Sequence, residues 1–160
     1  MRRKEREITD KNEILAILGR AEVLRIALNN GNYPYVLPVN FGFQEEDGRL
    51  VLFFHGSREG TKHEVIVRDP HVTFEVDGGH ALLRPAGAES CTASYAYESV
   101  IGQGTIEPAA EEEKEALLAA LLAHYGIEAQ TFNPVHLANT VVYKIQVESC
   151  TAKRRVNDRD

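Results

Sequence analysis

Apolar positions along the chain follow two periods. Between residues 10 and 18, Ile14, Leu15 and Leu18 share one helical face, Asp10 and Glu13 stand in capping-box spacing, and Gly19 follows. This predicts a short amphipathic helix. From Leu24 the period shortens to two: Leu24, Ile26 and Leu28 alternate, Asn29-Asn30-Gly31-Asn32 turns the chain, and Tyr35, Leu37, Val39, Phe41 and Phe43 alternate again. Two strands joined as a hairpin are expected, 24–28 and 35–43. Glu45-Glu46-Asp47-Gly48 signals another turn, and residues 50–55 read as a third antiparallel strand.

Beyond His55 the pattern changes to a glycine-containing loop, 56–60, leading into a helix in which Thr61 and Glu64 have capping-box spacing and which Asp69-Pro70 ends. Val72, Phe74 and Val76 make a fourth strand, and the glycine-rich stretch 77–88 is expected to be a loop. Residues 95–107 read as a long strand in which Gly102 and Gly104 mark a bulge or a close backbone approach. Pro108 is expected to open a helix carrying Leu117, Leu118, Leu121, Leu122 and Tyr125 on one stripe, with Glu111, Glu112 and Glu113 in its first turn, where the dipole favours acids. Residues 140–147, rich in β-branched side chains, supply the last strand. Six strands with one long helix predict a mainly antiparallel sheet, and closure into a barrel would remove its edges.

Composition narrows the function. The chain has 160 residues, 43% hydrophobic, with 18 Lys and Arg against 24 Asp and Glu, a formal charge of −6. That fits one globular domain, read as 1–153 with a tail at 154–160, and argues against a broad nucleic-acid surface. The longest apolar run, 117–123, is far short of the roughly 20 residues that span a bilayer, and no leader pattern precedes the first helix, so the expected setting is cytoplasmic and off the membrane. Cys91 and Cys150 form no CxxC pair, neither HExxH nor a zinc spacing occurs, and no GxSxG elbow is present. No metal site or nucleophilic hydrolase is expected.

The segment FFHGSREGTKHEV, 53–65, carries the most chemistry. A glycine-flexed loop entering a helix N-terminus offers unpaired amides and a partial positive charge, which with Ser57, Thr61 and Lys62 suits a phosphate. The spacing is neither GxxxxGK followed by Ser or Thr nor GxGxxG, so nucleotide hydrolysis is not implied. The same spacing also suits a capped helix with solvated cations. His55, at a strand end, can contact a ligand or move a proton near neutral pH, or bond a backbone carbonyl.

MRRKERE (1–7), YPYVLPVNFGF (33–43), FFHGSREGTK (53–62), DPHVTFEVD (69–77) and YESVIGQG (97–104) occur in this order. On them the chain resembles the pyridoxamine 5′-phosphate oxidase-like FMN-binding split barrels, and within them the 5-nitroimidazole-resistance reductase branch. The resemblance implies a six-stranded antiparallel split barrel, a homodimer, and FMN at two sites across the interface. It implies that Pro38, Val39, Asn40 and Phe41 follow one edge of the isoalloxazine, that Phe54, His55 and Gly56 lie at the strand end beside the flavin, and that Ser57, Thr61 and Lys62 hold its phosphate. Ser99 would reach the neighbouring subunit's cofactor. The implied activity is reduction of small electrophiles such as nitroaromatics or quinones, with NADH or NADPH as a possible donor and His55 as proton donor or substrate contact. The alternatives are a flavin sensor or carrier without turnover, or a split barrel using F420 or haem. True pyridoxamine phosphate oxidases carry Arg-Lys where this chain has Thr61-Lys62, and a C-terminal substrate-binding Arg pattern that KRRVNDRD lacks, so vitamin oxidation is not expected.

Overall fold

The computed structural model describes residues 3–84 and 90–156. A two-residue strand β1 (Glu7–Ile8) precedes helix α1 (Lys11–Arg20), where Asp10 caps the helix by accepting the Glu13 N–H at 3.0 Å. Then come β2 (Leu24–Leu28), β3 (Tyr35–Val39), β4 (Gly42–Glu46) and β5 (Arg49–Ser57), helix α2 (Thr61–Arg68), the long strands β6 (His71–Leu83) and β7 (Ser94–Pro108), helices α3 (Lys114–His124) and α4 (Pro134–Asn139), and β8 (Thr140–Arg155). The sheet runs β3-β2-β6-β7-β8-β5-β4, with β1 on β8, and every pairing is antiparallel.

The expected strand 35–43 is two strands, β3 and β4, at opposite ends of this order. Only Asn40 and Phe41 separate them, so the two sheet edges must meet there and the sheet curls into a barrel split at that bend. The break is made by hydrogen bonding. Phe41 buries its ring and donates its N–H to Tyr125 Oη at 3.1 Å, while the Tyr125 hydroxyl donates to the Glu22 carbonyl at 2.7 Å. Side-chain alternation continues through the bend, which is why the sequence reads as one strand. With the short β1, the described residues form eight strands where six are expected.

Four other boundaries differ. Helix α1 includes Gly19 and runs to Arg20. Strand β6 continues through Gly78, past a register shift, to Leu83, shortening the loop expected at 77–88; residues 85–88 of that loop lie outside the described residues. Pro108 ends β7 instead of opening a helix, and Glu111–Glu113 form a 3₁₀ turn ahead of α3. Strand β8 does not stop at Val147, because β7 offers it a partner as far as Arg155. Helix α4, capped by Asn133, is too short for a readable period.

Two apolar clusters result. The barrel interior holds Leu24, Ile26, Phe41, Phe54, Phe74, Tyr143 and Ile145. Gly102 makes room there, since a Cβ would strike the Phe74 ring, and the register shift at Gln103–Gly104 supplies the bulge. Outside the barrel, α3 packs Leu117 and Leu121 on Phe53 and Val142. Gly42 lets that helix approach, as a Cβ there would lie 3.2 Å from the Leu121 Cα.

Candidate functional site

Strand alternation sorts the residues at the end of β5. Phe54 pairs with Tyr143 across the β5–β8 ladder, and the two rings stack inside the barrel at 5.2 Å. His55, paired with Val142, faces the outer side. Gly56 returns to the inner side, and a Cβ there would strike Lys62 Nζ. The Lys62 ammonium thus occupies the space Gly56 leaves, 5.5 Å from the Phe54 ring centroid and 5.7 Å from that of Tyr143.

Helix α2 brings Lys62 to this place. Its cap is Gly60 at φ 98°, a left-handed position that favours glycine. The expected Thr61–Glu64 capping box does not form, because Thr61 is the first helical residue and no side chain caps the helix. The first intrahelical bond is Glu64 N–H to the Gly60 carbonyl at 3.2 Å, so the amides of Thr61, Lys62 and His63 precede it. Exposed Ser57 accepts the Glu59 N–H at 3.1 Å, which shapes the loop and leaves its hydroxyl proton free. One turn into the helix, His63 Nδ1 lies 2.9 Å from Tyr143 Oη, tying α2 to the barrel. His63 and Tyr143 stand 80 residues apart, so no local pattern announces their contact.

The electrostatics follow from this packing. Burial holds Lys62 below the ordinary lysine pKa. His55 is held below the ordinary imidazole value, first by the protein packed around it and then by the Lys62 charge. The shift favours the neutral imidazole. Burial raises the Tyr143 phenol, with a smaller opposing effect from Arg58. A half-buried cation, the first amides of α2 and the Ser57 hydroxyl are donors of the kind that suits a phosphate monoester, carried by one loop and the helix it enters.

The other expected residues lie elsewhere. Pro38 and Val39 are on edge strand β3, Asn40 is exposed at the bend, and the Phe41 N–H is already committed to Tyr125. Ser99 is buried on β7 opposite Lys153 of β8, whereas His55 is opposite Val142 of the same strand. Eleven residues (153 − 142) separate those levels, roughly 36 Å of chain at about 3.3 Å per residue. One chain does not bring Ser99 to Lys62.

His55 opens instead into a cavity of about 220 Å³ on the outer side, between α3, α4 and the start of β8. A larger, open groove of about 530 Å³ near Asp69 and His71 includes none of the expected site residues.

A family model described as pyridoxamine 5′-phosphate oxidase matches residues 10–154. Among curated proteins none matches the sequence at a significant level. Among solved structures, the chain is similar to a candidate 5-nitroimidazole antibiotic resistance protein from Bacteroides thetaiotaomicron, at 29% identity and TM-score 0.79, covering 92% of this chain and 86% of that one. It also shares its fold with an FAD- and haem-binding protein from Mycobacterium smegmatis, at 19% identity and TM-score 0.79, over 97% of this chain and 76% of that one. An FAD-binding protein from Mesorhizobium loti, at 19% identity and TM-score 0.64, covers 94% and 98%.

Proposed function

The chain belongs to the pyridoxamine 5′-phosphate oxidase family, and from that premise we propose that it is an FMN-binding oxidoreductase that reduces small electrophiles such as nitroaromatics or quinones. The observation that carries this reading is Lys62, a half-buried ammonium laid on two aromatic rings beside the open amides of α2. Lys62, Thr61 and Ser57 would hold the phosphate, with Lys62 as a point charge. Pro38, Val39, Asn40 and the Phe41 carbonyl would run along the ring system, and Phe54, His55 and Gly56 would stand at its side. A bound flavin would supply the redox chemistry between a reduced nicotinamide and the acceptor, and these residues would hold its phosphate and ring in place.

His55, whose neutral form is favoured by the protein around it and by Lys62, would exchange a hydrogen bond with the acceptor. Ser99 supports a homodimer: its distance along β8 from Lys62 means that it serves a cofactor only if a second copy presents it. Thr61 in place of an arginine, and the absence of the C-terminal arginine pattern, weigh against vitamin oxidation.

Purified protein tests this directly. The expected result is a dimer with flavin absorbance, a co-purified ligand of FMN mass, and anaerobic bleaching by NADH or NADPH that a nitroaromatic reverses. FAD or haem mass would replace the cofactor named here. Bleaching that no acceptor reverses would make the protein a flavin carrier, and colourless protein indifferent to added FMN would end the flavin reading.

A further inference from the structure

Helix α3 ends on two residues that grip the chain where the barrel splits. Tyr125 closes the helix, and Gly126, at φ 71°, turns the chain away with its N–H bonded to the Ala123 carbonyl at 3.0 Å. His124 Nε2 donates to the Ala21 carbonyl at 2.8 Å and the Tyr125 hydroxyl donates to the Glu22 carbonyl at 2.7 Å, so both residues hold the link between α1 and β2. The same hydroxyl accepts the Phe41 N–H at 3.1 Å, and the His124 ring packs against Phe41 and Phe43 with centroids 4.7 and 5.8 Å away. One phenol thus ties the entry of β2 to the bend between β3 and β4.

That bend adjoins an open sheet edge. Among the described residues β4 pairs with β5 no further than Phe53, whereas β8 follows β5 to Ser57. Phe54, His55 and Gly56 therefore have a partner strand on one side only, and the Gly42–Phe53 register, continued past the bend, sets Asn40 level with His55. The Asn40–Phe41 peptide is trans, so with its N–H on Tyr125 its carbonyl, that of Asn40, points the opposite way. Asn40 is exposed, and among the described residues no backbone N–H bonds to that carbonyl. An acceptor fixed in this way suits a donor on the ligand, and the one N–H of an oxidised isoalloxazine is at N3, on its pyrimidine ring. We propose that Tyr125 is a positioning residue for the cofactor: it acts through Phe41 to hold the Asn40 carbonyl where it accepts the flavin N3–H. This rests on the flavin reading above; the clasp between Tyr125 and Phe41 does not.

The test uses the full chain and two ligands, FMN and its 3-methyl analogue, in which a methyl group replaces the N3 hydrogen. Wild type should bind FMN at least about tenfold more tightly than the analogue. Tyr125→Phe keeps the ring and removes the hydroxyl. It should cut that preference to less than about threefold and, in flavin-free protein, speed deuterium exchange of the Phe41 amide by at least about tenfold. A merely structural tyrosine would weaken both flavins together and leave their ratio as it was. Equal binding of the two flavins by wild type, an unchanged ratio in the variant, or an equally protected Phe41 amide would overturn the assignment. Should Tyr125→Phe fail to fold, wild type labelled at its carbonyl carbons decides: the Asn40 signal should shift with saturating FMN and not with the saturating analogue, and like shifts with both overturn the assignment. Protein that binds neither flavin ends the flavin reading and this inference together, whereas equal binding of both ends this inference alone.

Discussion

Lys62 and Lys144 serve opposite faces of the β5–β8 pair, and the fold treats them in opposite ways. Lys144 follows Tyr143 on β8 and so points outward, where Glu46 and Glu113 lie 2.9 and 3.0 Å from its Nζ. Burial alone would lower its pKa, but the two carboxylates more than offset that and raise it. The Lys62 ammonium rests against Tyr143 on the inner side, and its pKa is lowered by burial with no carboxylate to restore it. Elsewhere the chain pairs the charges it buries: Glu98 accepts from Arg20 Nε and Nη2 at 2.9 Å and from Arg154 Nε at 3.1 Å, and Lys114 meets Glu111. A cation left unpaired in such a protein costs stability, and the compensation lies in what it can bind.

The largest effect separating the two faces should come from Lys144→Met. It leaves two partly exposed carboxylates facing each other, and urea unfolding should show a loss of about 2 to 4 kcal/mol, below the full penalty of a sealed pair because water reaches both acids. Lys62→Met should do the reverse. Stability should hold or rise, while FMN affinity, read by fluorescence titration, falls by roughly 1 to 3 kcal/mol. If Lys62→Met lowers stability in urea and leaves FMN affinity intact, the lysine is structural and the contrast between the faces is lost.

Much of this arrangement was legible in the sequence, and the rest was hidden for identifiable reasons. Alternation of apolar residues located the strands, and Gly56-Ser57 before Thr61-Lys62 marked the loop that enters α2, because those signals are local. The bend at Asn40–Phe41 was invisible because it changes hydrogen-bond partners without changing which side chains face inward. The cap at Gly60 was misassigned to Thr61 because a glycine cap has no side chain to announce it. Glu111–Glu113 read as dipole partners of a helix, yet Glu113 serves Lys144 on β8, a contact across 31 residues that no local pattern carries. The same holds for His63 and Tyr143.

A smaller effect is expected from Gly56→Ala. The added methyl takes the place of the Lys62 ammonium, but that is the far end of a flexible side chain and Gly56 has ordinary strand φ, so the fold should survive. The displaced charge should cost about 1 kcal/mol of FMN affinity. Equal affinity in Gly56→Ala and the wild type would mean that the ammonium binds from somewhere other than its place over the rings.

The smallest effect is one of pH, and its sign differs between the faces. A lysine whose folded pKa lies below its unfolded value penalises the fold most when both forms are protonated, and the penalty fades as pH rises through the folded pKa toward the unfolded value near 10.4. In unliganded protein the stability advantage of Lys62→Met over wild type should therefore be greatest at neutral pH and shrink as alkali is added. Lys144 has a raised folded pKa, so its contribution is complete below the unfolded value and is lost only as pH climbs through the higher folded one. The deficit of Lys144→Met should stay constant across the range in which the Lys62 advantage disappears, and shrink beyond it. Urea unfolding of the three proteins from pH 7 upward measures both trends, and saturating FMN should abolish the first by giving Lys62 its counter-charge. Two variants whose differences from wild type fade over the same pH range would mean that both lysines meet the same electrostatic environment.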